Sequence, residues 1–468
     1  MHRHAFAMGQ AGTGKTTWLI QQIQAVGPQI LVTEHQRLLA LSFMHGARRR
    51  LDAAICDACP GLRFTATTID GFALSILNRW RTALQFHKVV VGCQGDFNFE
   101  DHEYSIRAGF DNILKVATQL LCSANVAKFV SCSYPLIAID EFQDCHGERL
   151  EFVKRLGQCS RLLVAADEFQ LLDASVQGCP AVEWARQLNH GGHVDVHDLT
   201  TIHRTNDATI LETARSLRSG TGAGSTAVKV QCFNGKGEAA FRILEAIYWK
   251  HPTGAPFGNR AIISPSRSPI LEDILNSFEQ QCIKRSLKPL RWRKESNEGD
   301  AVIRVMNQLD GNGGMPLKTS TLAGLDCTDD PVLSAVRSGL IRLSRLKGLS
   351  EISVGLVKET VERTVHRLRA FGPGSISSVV TTVHGAKNRE FDDVFVIWPF
   401  QVAPGPELQR RLLYNAVTRA RRRCILLIQG GVRRAKKEFV LQLLGDPVPV
   451  FPAKKKQPKA KPGGKKSV

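Results

Sequence analysis

No run of about 18 apolar residues, the length a membrane-spanning helix needs, occurs anywhere in the 468-residue chain. Met1-His2-Arg3-His4 leads straight into a short strand-like segment, without the basic-then-apolar opening of a secretory signal. A cytoplasmic setting and no membrane partner are expected. Aromatic content is only 7%, yet 43% of residues are hydrophobic, which excludes wholesale disorder and collagen-like or mucin-like classes. The length allows roughly two to four domains with cores of their own. Of the 12 cysteines only Cys56 and Cys59 show CxxC spacing, and no second pair completes a zinc or iron–sulfur set, so the thiols are read as reduced. No fixed-period repeat is visible.

Acidic residues are the other shortage: 43 Asp+Glu face 62 Lys+Arg, a formal charge of +19. Attraction to polyanions follows. Residues 452–468 hold seven lysines, three prolines, two glycines and no acid, so 447–468 is read as a disordered basic tail, either a nonspecific arm for nucleic acid or an acidic partner, or a solubilising end. Without those seven lysines the +19 falls to +12, so the body is basic in its own right.

Apolar β-type runs at 5–8, 30–33, 136–139 and 162–165 alternate with helical patterns, the signature of a parallel α/β sheet. A second set at 228–232, 261–263, 379–382, 394–397 and 424–428, with a helical stretch at 238–249, implies a second sheet of the same style. Two polar, helical-looking segments, 81–133 and 278–371, read as insertions.

After the first run comes Gly9-Gln10-Ala11-Gly12-Thr13-Gly14-Lys15-Thr16, a full match to G-x-x-x-x-G-K-[ST], and a helical pattern from Thr17. The glycines let backbone N–H groups turn toward phosphate oxygens, Lys15 brings charge to the β/γ-phosphates, and Thr16 is placed to hold Mg²⁺. Such a loop needs an acid at a neighbouring strand end. Ile137-Ala138-Ile139-Asp140-Glu141 supplies it, with Asp140 toward the metal and Glu141 as general base for the attacking water. Asp-Glu-Phe-Gln occurs at 140–143 and again at 167–170, each time after an apolar strand; Gln143 and Gln170 can each donate to and accept from a γ-phosphate and its water.

Six segments in order resemble the motifs of the UvrD/Rep-like superfamily 1 helicases. Residues 9–16 resemble motif I, Asp140-Glu141-Phe142-Gln143-Asp144 the DExQD motif II, and 167–170 motif III. Leu199-Thr200-Thr201-Ile202-His203-Arg204-Thr205 is similar to motif IV, Thr382-Val383-His384-Gly385-Ala386-Lys387-Asn388-Arg389-Glu390 to motif V, and Leu412-Leu413-Tyr414-Asn415-Ala416-Val417-Thr418-Arg419-Ala420 to motif VI. The resemblance implies an α/β fold of two RecA-like P-loop domains with parallel sheets and small helical insertions. The first would span 1–200 with a 1B-like insertion at 81–133; the second 201–277 and 372–446, interrupted by a reduced 2B-like insertion at 278–371. ATP and Mg²⁺ are the implied cofactors. Arg204 and Arg419 would reach the γ-phosphate, Glu390 the ribose, and Tyr414 would lie in the nucleotide cleft.

Single-stranded DNA, or a tailed duplex, is the implied partner, with Thr33, Thr68, Phe72, Thr382, His384 and Arg389 as contacts, though Phe72 fits a core position better. The implied activity is ATP-driven movement on DNA, 3′ to 5′, by a monomer with a possible protein partner, in repair, recombination or the replication of a mobile element. An ATPase switch that grips DNA without unwinding it, and an RNA helicase, are the rival readings.

The sequence departs from the family in four places. Eight residues precede Gly9, where the family carries a glutamine-containing adenine motif; tolerance of other bases, or a segment upstream of the given start, would account for this. Leu171-Leu172 stand where an aromatic base-stacking residue follows motif III, and alignment at Thr33 puts Val32 or Glu34 at the aromatic of motif Ia, which leaves Trp184, Trp80 or Phe72 as substitutes. Asn388-Arg389 replace the usual Gly-Leu of motif V.

Overall fold

A computed structural model describes residues 4–43, 45–84, 88–91, 105–108, 110–192, 194–222, 227–249, 258–294, 317–323, 331–352, 356–357, 360–361, 364, 378–402 and 405–451. The tail expected to be disordered lies, from 452 onward, outside them. By contacts the chain divides into two units. The first takes Met1–Asn206, Glu295–Ile376 and Gly385–Glu390; the second takes Asp207–Lys294, Ser377–His384 and Phe391–Val468.

The first unit is built on six parallel strands, β1 (His4–Gly9), β2 (Leu38–Ser42), β3 (Phe64–Thr68), β6 (Leu136–Asp140), β7 (Arg161–Ala166) and β8 (Val194–Leu199), in the order β3-β2-β6-β7-β1-β8. A short ribbon, β4 (Lys88–Val91) with β5 (Ser105–Ala108), stands between β3 and β6 in sequence. Alternation in the strands sorts the core into two layers. Phe6, Leu39, Leu41, Ile137, Ile139, Leu162 and Val164 face one side; Ala5, Ala7, Leu38, Ala40, Leu136, Ala138 and Leu163 face the other, onto Trp18, Leu19 and Ile23 of the helix Lys15–Ile30.

Two expectations change here. The run 30–33 is not a strand: the apolar stripe Leu19, Ile20, Ile23, Gly27 carries the helix to Ile30, Val32 beyond it is 78% exposed, and the second strand is the fully buried Leu38–Ser42. Most of 110–133 is core rather than insertion. Ile113, Leu114 and Ala117 of helix Phe110–Leu120, with Val126 and Val130 of helix Ala124–Ser133, fill the first layer at helical spacing. No single helix among the described residues is long and apolar enough to cross a membrane.

The second unit carries seven parallel strands, β9 (Val230–Phe233), β10 (Arg260–Ser264), β11 (Arg293–Lys294), β14 (Ser378–Thr382), β15 (Phe391–Trp398), β16 (Ala420–Gln429) and β17 (Val448–Pro449), ordered β11-β14-β10-β15-β16-β9-β17. Helices Lys236–Tyr248 and Pro269–Lys284 cover one face through Ile243, Leu244, Ile274 and Phe278. Both sheets are thus the RecA-like α/β arrangement expected.

The boundaries fall later than expected. Asp207 caps helix Ala208–Ser219, its carboxylate accepting from Thr209 N (2.9 Å) and Ile210 N (3.1 Å), so Arg204 stays with the first unit. The second sheet claims the chain through Lys294, well past 278. Beyond it, β12 (Leu317–Lys318) pairs antiparallel with β13 (Glu351–Ile352), and helix Pro331–Lys347 closes a small core of Leu322, Leu333, Val336, Leu340 and Ile352.

Candidate active site

Parallel register lines up the carboxyl ends of the first sheet. Thr68 lies beside Ser42, Ser42 beside Asp140, and Met8 beside Ala166, so the loops after β1, β6 and β7 leave the sheet together. In the loop after β1, Gly12 (φ 83°) and Gly14 (φ 78°) adopt the left-handed conformation, and Gly14 is the N-cap of helix Lys15–Ile30. The loop is also crowded. A Cβ on Gly12 would lie 2.6 Å from the Cβ of Arg204, and the backbone N–H of His203 donates to the Gly12 carbonyl at 2.7 Å. Gly12→Ala is therefore expected to weaken nucleotide binding about tenfold or more, the scale of a few kcal/mol of backbone strain, measured by titration with a fluorescent ATP analogue.

Lys15 Nζ donates to the carbonyls of Gly9 (3.0 Å) and Gln10 (2.8 Å) and lies 3.8 Å from Asp167, and burial lowers its pKa. Thr16 Oγ1 donates to Asp140 Oδ2 at 2.9 Å. Burial and the neighbouring Glu141 push the Asp140 carboxyl up to about 6. Glu141 goes the other way. Burial acts to raise it, but Lys387, Lys15, the Gln143 hydrogen bond and Arg50 outweigh that and hold it below the usual carboxylate range. Of the two acids, Glu141 ionises the more readily.

The backbone of Glu141 is strained, with φ 58° and ψ 41° in a non-glycine residue, a conformation that recurs where a side chain must be aimed. Gln143 sets that aim: its Nε2 donates to Glu141 Oε2 at 2.5 Å while its Oε1 accepts from Asp167 N at 3.0 Å. Gln170 Nε2 donates to Asp167 Oδ2 at 3.0 Å, so both glutamines join one buried network with the two acidic loops. Gln10, Ala11 and Thr13 complete the loop, Thr13 Oγ1 donating to Gln10 O at 2.9 Å, and Thr17 is exposed in the first helical turn.

Two further groups of this unit, Lys387 and Arg50, were missed in the sequence. Lys387 Nζ pairs with both carboxylate oxygens of Asp144 at 2.8 and 2.9 Å, each side chain under 10% exposed. Arg50 donates to the Asn388 carbonyl. Arg204 Nε donates to Glu390 Oε1 at 2.7 Å, so the residue expected at the ribose and the arginine of motif IV are partners in this unit. Lys387 sits inside the segment that resembles motif V, but nothing local signals that it faces Asp144.

In the second unit, helix Pro406–Val417 ends on Thr418, whose Oγ1 donates to the Tyr414 carbonyl at 2.8 Å. Arg419 follows at 2% exposure, its Nε donating to Asn415 O at 3.0 Å, a cation on the carboxyl end of a helix. It differs from the basic run after it: Arg421 and Arg422 are exposed, and Arg423 pairs with Asp393 at 3.0 Å. Tyr414 is fully buried. Residues 377–427 match the family model of the UvrD-like helicase C-terminal domain.

The match spans the segments that resemble motifs V and VI, Gly385–Glu390 of the first unit included. Two solved structures of the Arterivirus nonstructural protein 10 helicase, one of them a complex with DNA, are similar at 12% identity, with TM-scores of 0.33 and 0.34. The alignments cover 93% and 94% of this chain but 63% and 62% of those chains, so the chain spans less than two thirds of their length. No curated protein matches.

Within the UvrD-like segment, Thr382 ends β14 and His384 is exposed in the short helix Val383–Ala386. Arg389 is half-buried, its N–H bonded to Ala386 O at 3.1 Å. The first-unit contacts need correction. Thr33 lies before β2, at the amino end of the sheet, and its carbonyl accepts from Arg63 at 2.7 Å; a five-residue strand, roughly 17 Å, separates it from the carboxyl edge. The residue at that edge is Phe43, directly after Ser42, with the Arg149 guanidinium 5.0 Å from its ring centroid. The buried run 38–42 before a helical pattern was the signal for it. Phe72 is core, 3% exposed against Tyr134 (5.4 Å) and Phe152 (6.3 Å). Thr68 caps helix Ile69–Arg79, its Oγ1 accepting from Gly71 N at 3.0 Å.

Proposed function

We propose that the protein is an ATP- and Mg²⁺-dependent nucleic-acid helicase that moves on single-stranded DNA, 3′ to 5′. The observation that carries this reading is the network on the first unit that joins Thr16, Asp140, Glu141, Gln143, Asp167 and Gln170 beside a P-loop, in a chain whose residues 377–427 match the UvrD-like helicase C-terminal domain. Mg²⁺ suits the site: a threonine hydroxyl and a desolvated carboxylate, 2.9 Å apart, are hard oxygen donors, and a cation would relieve the cost of burying the Asp140 charge. Bound there, it would neutralise charge on the phosphates.

The protein's own groups do the rest. Lys15 exchanges its two carbonyl partners for phosphate oxygens; Glu141, ionised and oriented by Gln143, takes a proton from the attacking water; Gln170 reports the γ-phosphate through Asp167. Arg204 and Arg419 supply positive charge to the transferring phosphoryl group. Phe43, Thr382, His384 and Arg389 contact the strand. Repair, recombination or the replication of a mobile element are the settings in which such an activity is used. Displacement of a labelled strand from duplexes with 3′ or 5′ tails tests the reading: ATP-dependent release from the 3′-tailed substrate is expected, and release from neither tail contradicts it. One observation favours a second reading, a strand-gated ATPase switch. Leu171 and Leu172, 1% and 5% exposed, leave no stacking ring after Gln170.

A further inference from the structure

Three rings offered themselves in the sequence as replacements for the missing stacking platforms, and all three are engaged in packing. Trp184 lies 5.9 Å from both Phe6 and Phe142, Trp80 packs on the same core, and Phe72 is buried within it. A ring with no such duty stands elsewhere. Phe400 follows β15 and is 45% exposed.

We propose that Phe400, with the guanidinium of Arg434 against its ring, is a base-stacking site for single-stranded nucleic acid on the carboxyl edge of the second sheet; the inference rests on the helicase reading. The ring is exposed yet fixed. The Phe400 N–H donates to Gln429 Oε1 at 3.1 Å, the Arg434 guanidinium lies 4.3 Å from the ring centroid, and an Arg434 N–H bonds the Phe400 carbonyl. Gly430 (φ 110°) makes room for it, since a Cβ there would lie 2.8 Å from Phe400 Cε1. An aromatic ring held in place before its ligand arrives loses little entropy on binding, and Arg beside a ring adds a second planar surface for a base. Burying half a ring gives the fold less than placing it in the core, so packing alone does not account for its position.

The surroundings suit a phosphate backbone. Residues 433–437 hold Arg433, Arg434, Lys436 and Lys437, all exposed. Asp446 pairs with Lys436 at 2.8 Å and Glu438 lies 3.7 Å from Arg434, which leaves Arg433 and Lys437 without an acidic partner among the described residues. Register places the site near the strand contacts already proposed. Thr382 at the end of β14 neighbours Ser264 of β10, β10 neighbours β15, and β15 ends at Trp398. Two strand spacings, roughly 10 Å, separate the strand ends that lead to His384 and Phe400, a distance a few nucleotides span.

The test uses the full chain with oligo(dT) and oligo(U), each carrying one 2-aminopurine, whose fluorescence is quenched by stacking. Phe400→Ala and Phe400→Leu are expected to weaken binding about tenfold and remove the added quench, and Phe400→Trp to retain both, as base–ring stacking of about 1–3 kcal/mol requires. An effect on oligo(dT) alone makes the site DNA-selective, and an equal effect on both makes it indifferent to the sugar; either supports it. Leu keeps the apolar contact with Gly430, and an unchanged melting temperature shows that each variant is folded. Wild-type affinity and quench in Phe400→Ala and Phe400→Leu overturn the site and leave the helicase reading intact. Failure of the unaltered protein to bind either oligonucleotide overturns the helicase reading itself.

Discussion

Glu141→Gln is expected to abolish steady-state ATP hydrolysis while leaving nucleotide bound. The amide has the shape of the carboxylate and can still meet Gln143, so the loop between Asp140 and Asp144 keeps its path. What it cannot do is accept a proton. In the unaltered protein Glu141 is suited to that task because Lys387, Lys15, the Gln143 hydrogen bond and Arg50 together overcome the effect of burial and keep it ionised. Loss of a general base alone costs about 10²–10⁴ in rate. Phosphate release and titration with a fluorescent ATP analogue, run side by side, check this. Turnover within tenfold of normal would remove Glu141 from its role. Lys15→Ala, by contrast, should lose nucleotide binding along with turnover, because Lys15 is the cation of the loop itself.

The second large effect is expected at Arg419. Arg419→Ala should cut hydrolysis by about 10³-fold or more, the scale of an arginine finger, with ATP affinity little changed. An arginine at 2% exposure, bonded to Asn415 O, also holds together the end of helix Pro406–Val417, so truncation carries a structural cost of its own. Arg419→Lys separates the two. Lysine retains the charge and much of the packing but not the planar fork, so it should restore the melting temperature and only a small part of the turnover. Equal losses of binding and turnover in Arg419→Ala, or full recovery of turnover with lysine, would make the residue purely structural.

The parts that were legible in the sequence are those whose signals are local. The P-loop is a contiguous motif at the end of an apolar strand, and Asp140-Glu141 announces itself the same way. Five of the seven strands of the second unit were found because parallel strands buried on both faces read as continuous apolar runs, while the two-residue strands β11 and β17 gave no such run. The misplaced second strand shows the limit. An apolar run at 30–33 resembles a strand in isolation, but the helix before it extends to Ile30 because its stripe packs on β6 and β7, and only tertiary packing decides between the two. That slip put Thr33 at the wrong end of the sheet and hid Phe43.

Edge strands were harder still. Phe64–Thr68 and Val194–Leu199 are polar or only half-buried at the two edges of the first sheet, so neither produced an apolar run. Lys387 with Asp144, and Arg204 with Glu390, are partners separated by 243 and 186 residues, and nothing in either segment marks the other. Phe72 went the opposite way. Its core position was the better reading of the sequence, and the rings of Tyr134 and Phe152 occupy the space around it.

The central claim is that hydrolysis at the first-unit site answers to a nucleic-acid strand. Its most direct test is steady-state ATP hydrolysis by the full chain with Mg²⁺, with and without single-stranded DNA, with Glu141→Gln as the zero. Low basal turnover that rises at least tenfold with DNA, and no activity in the variant, is the expected result. Turnover that is the same with and without DNA, or that survives in the variant, would contradict the account.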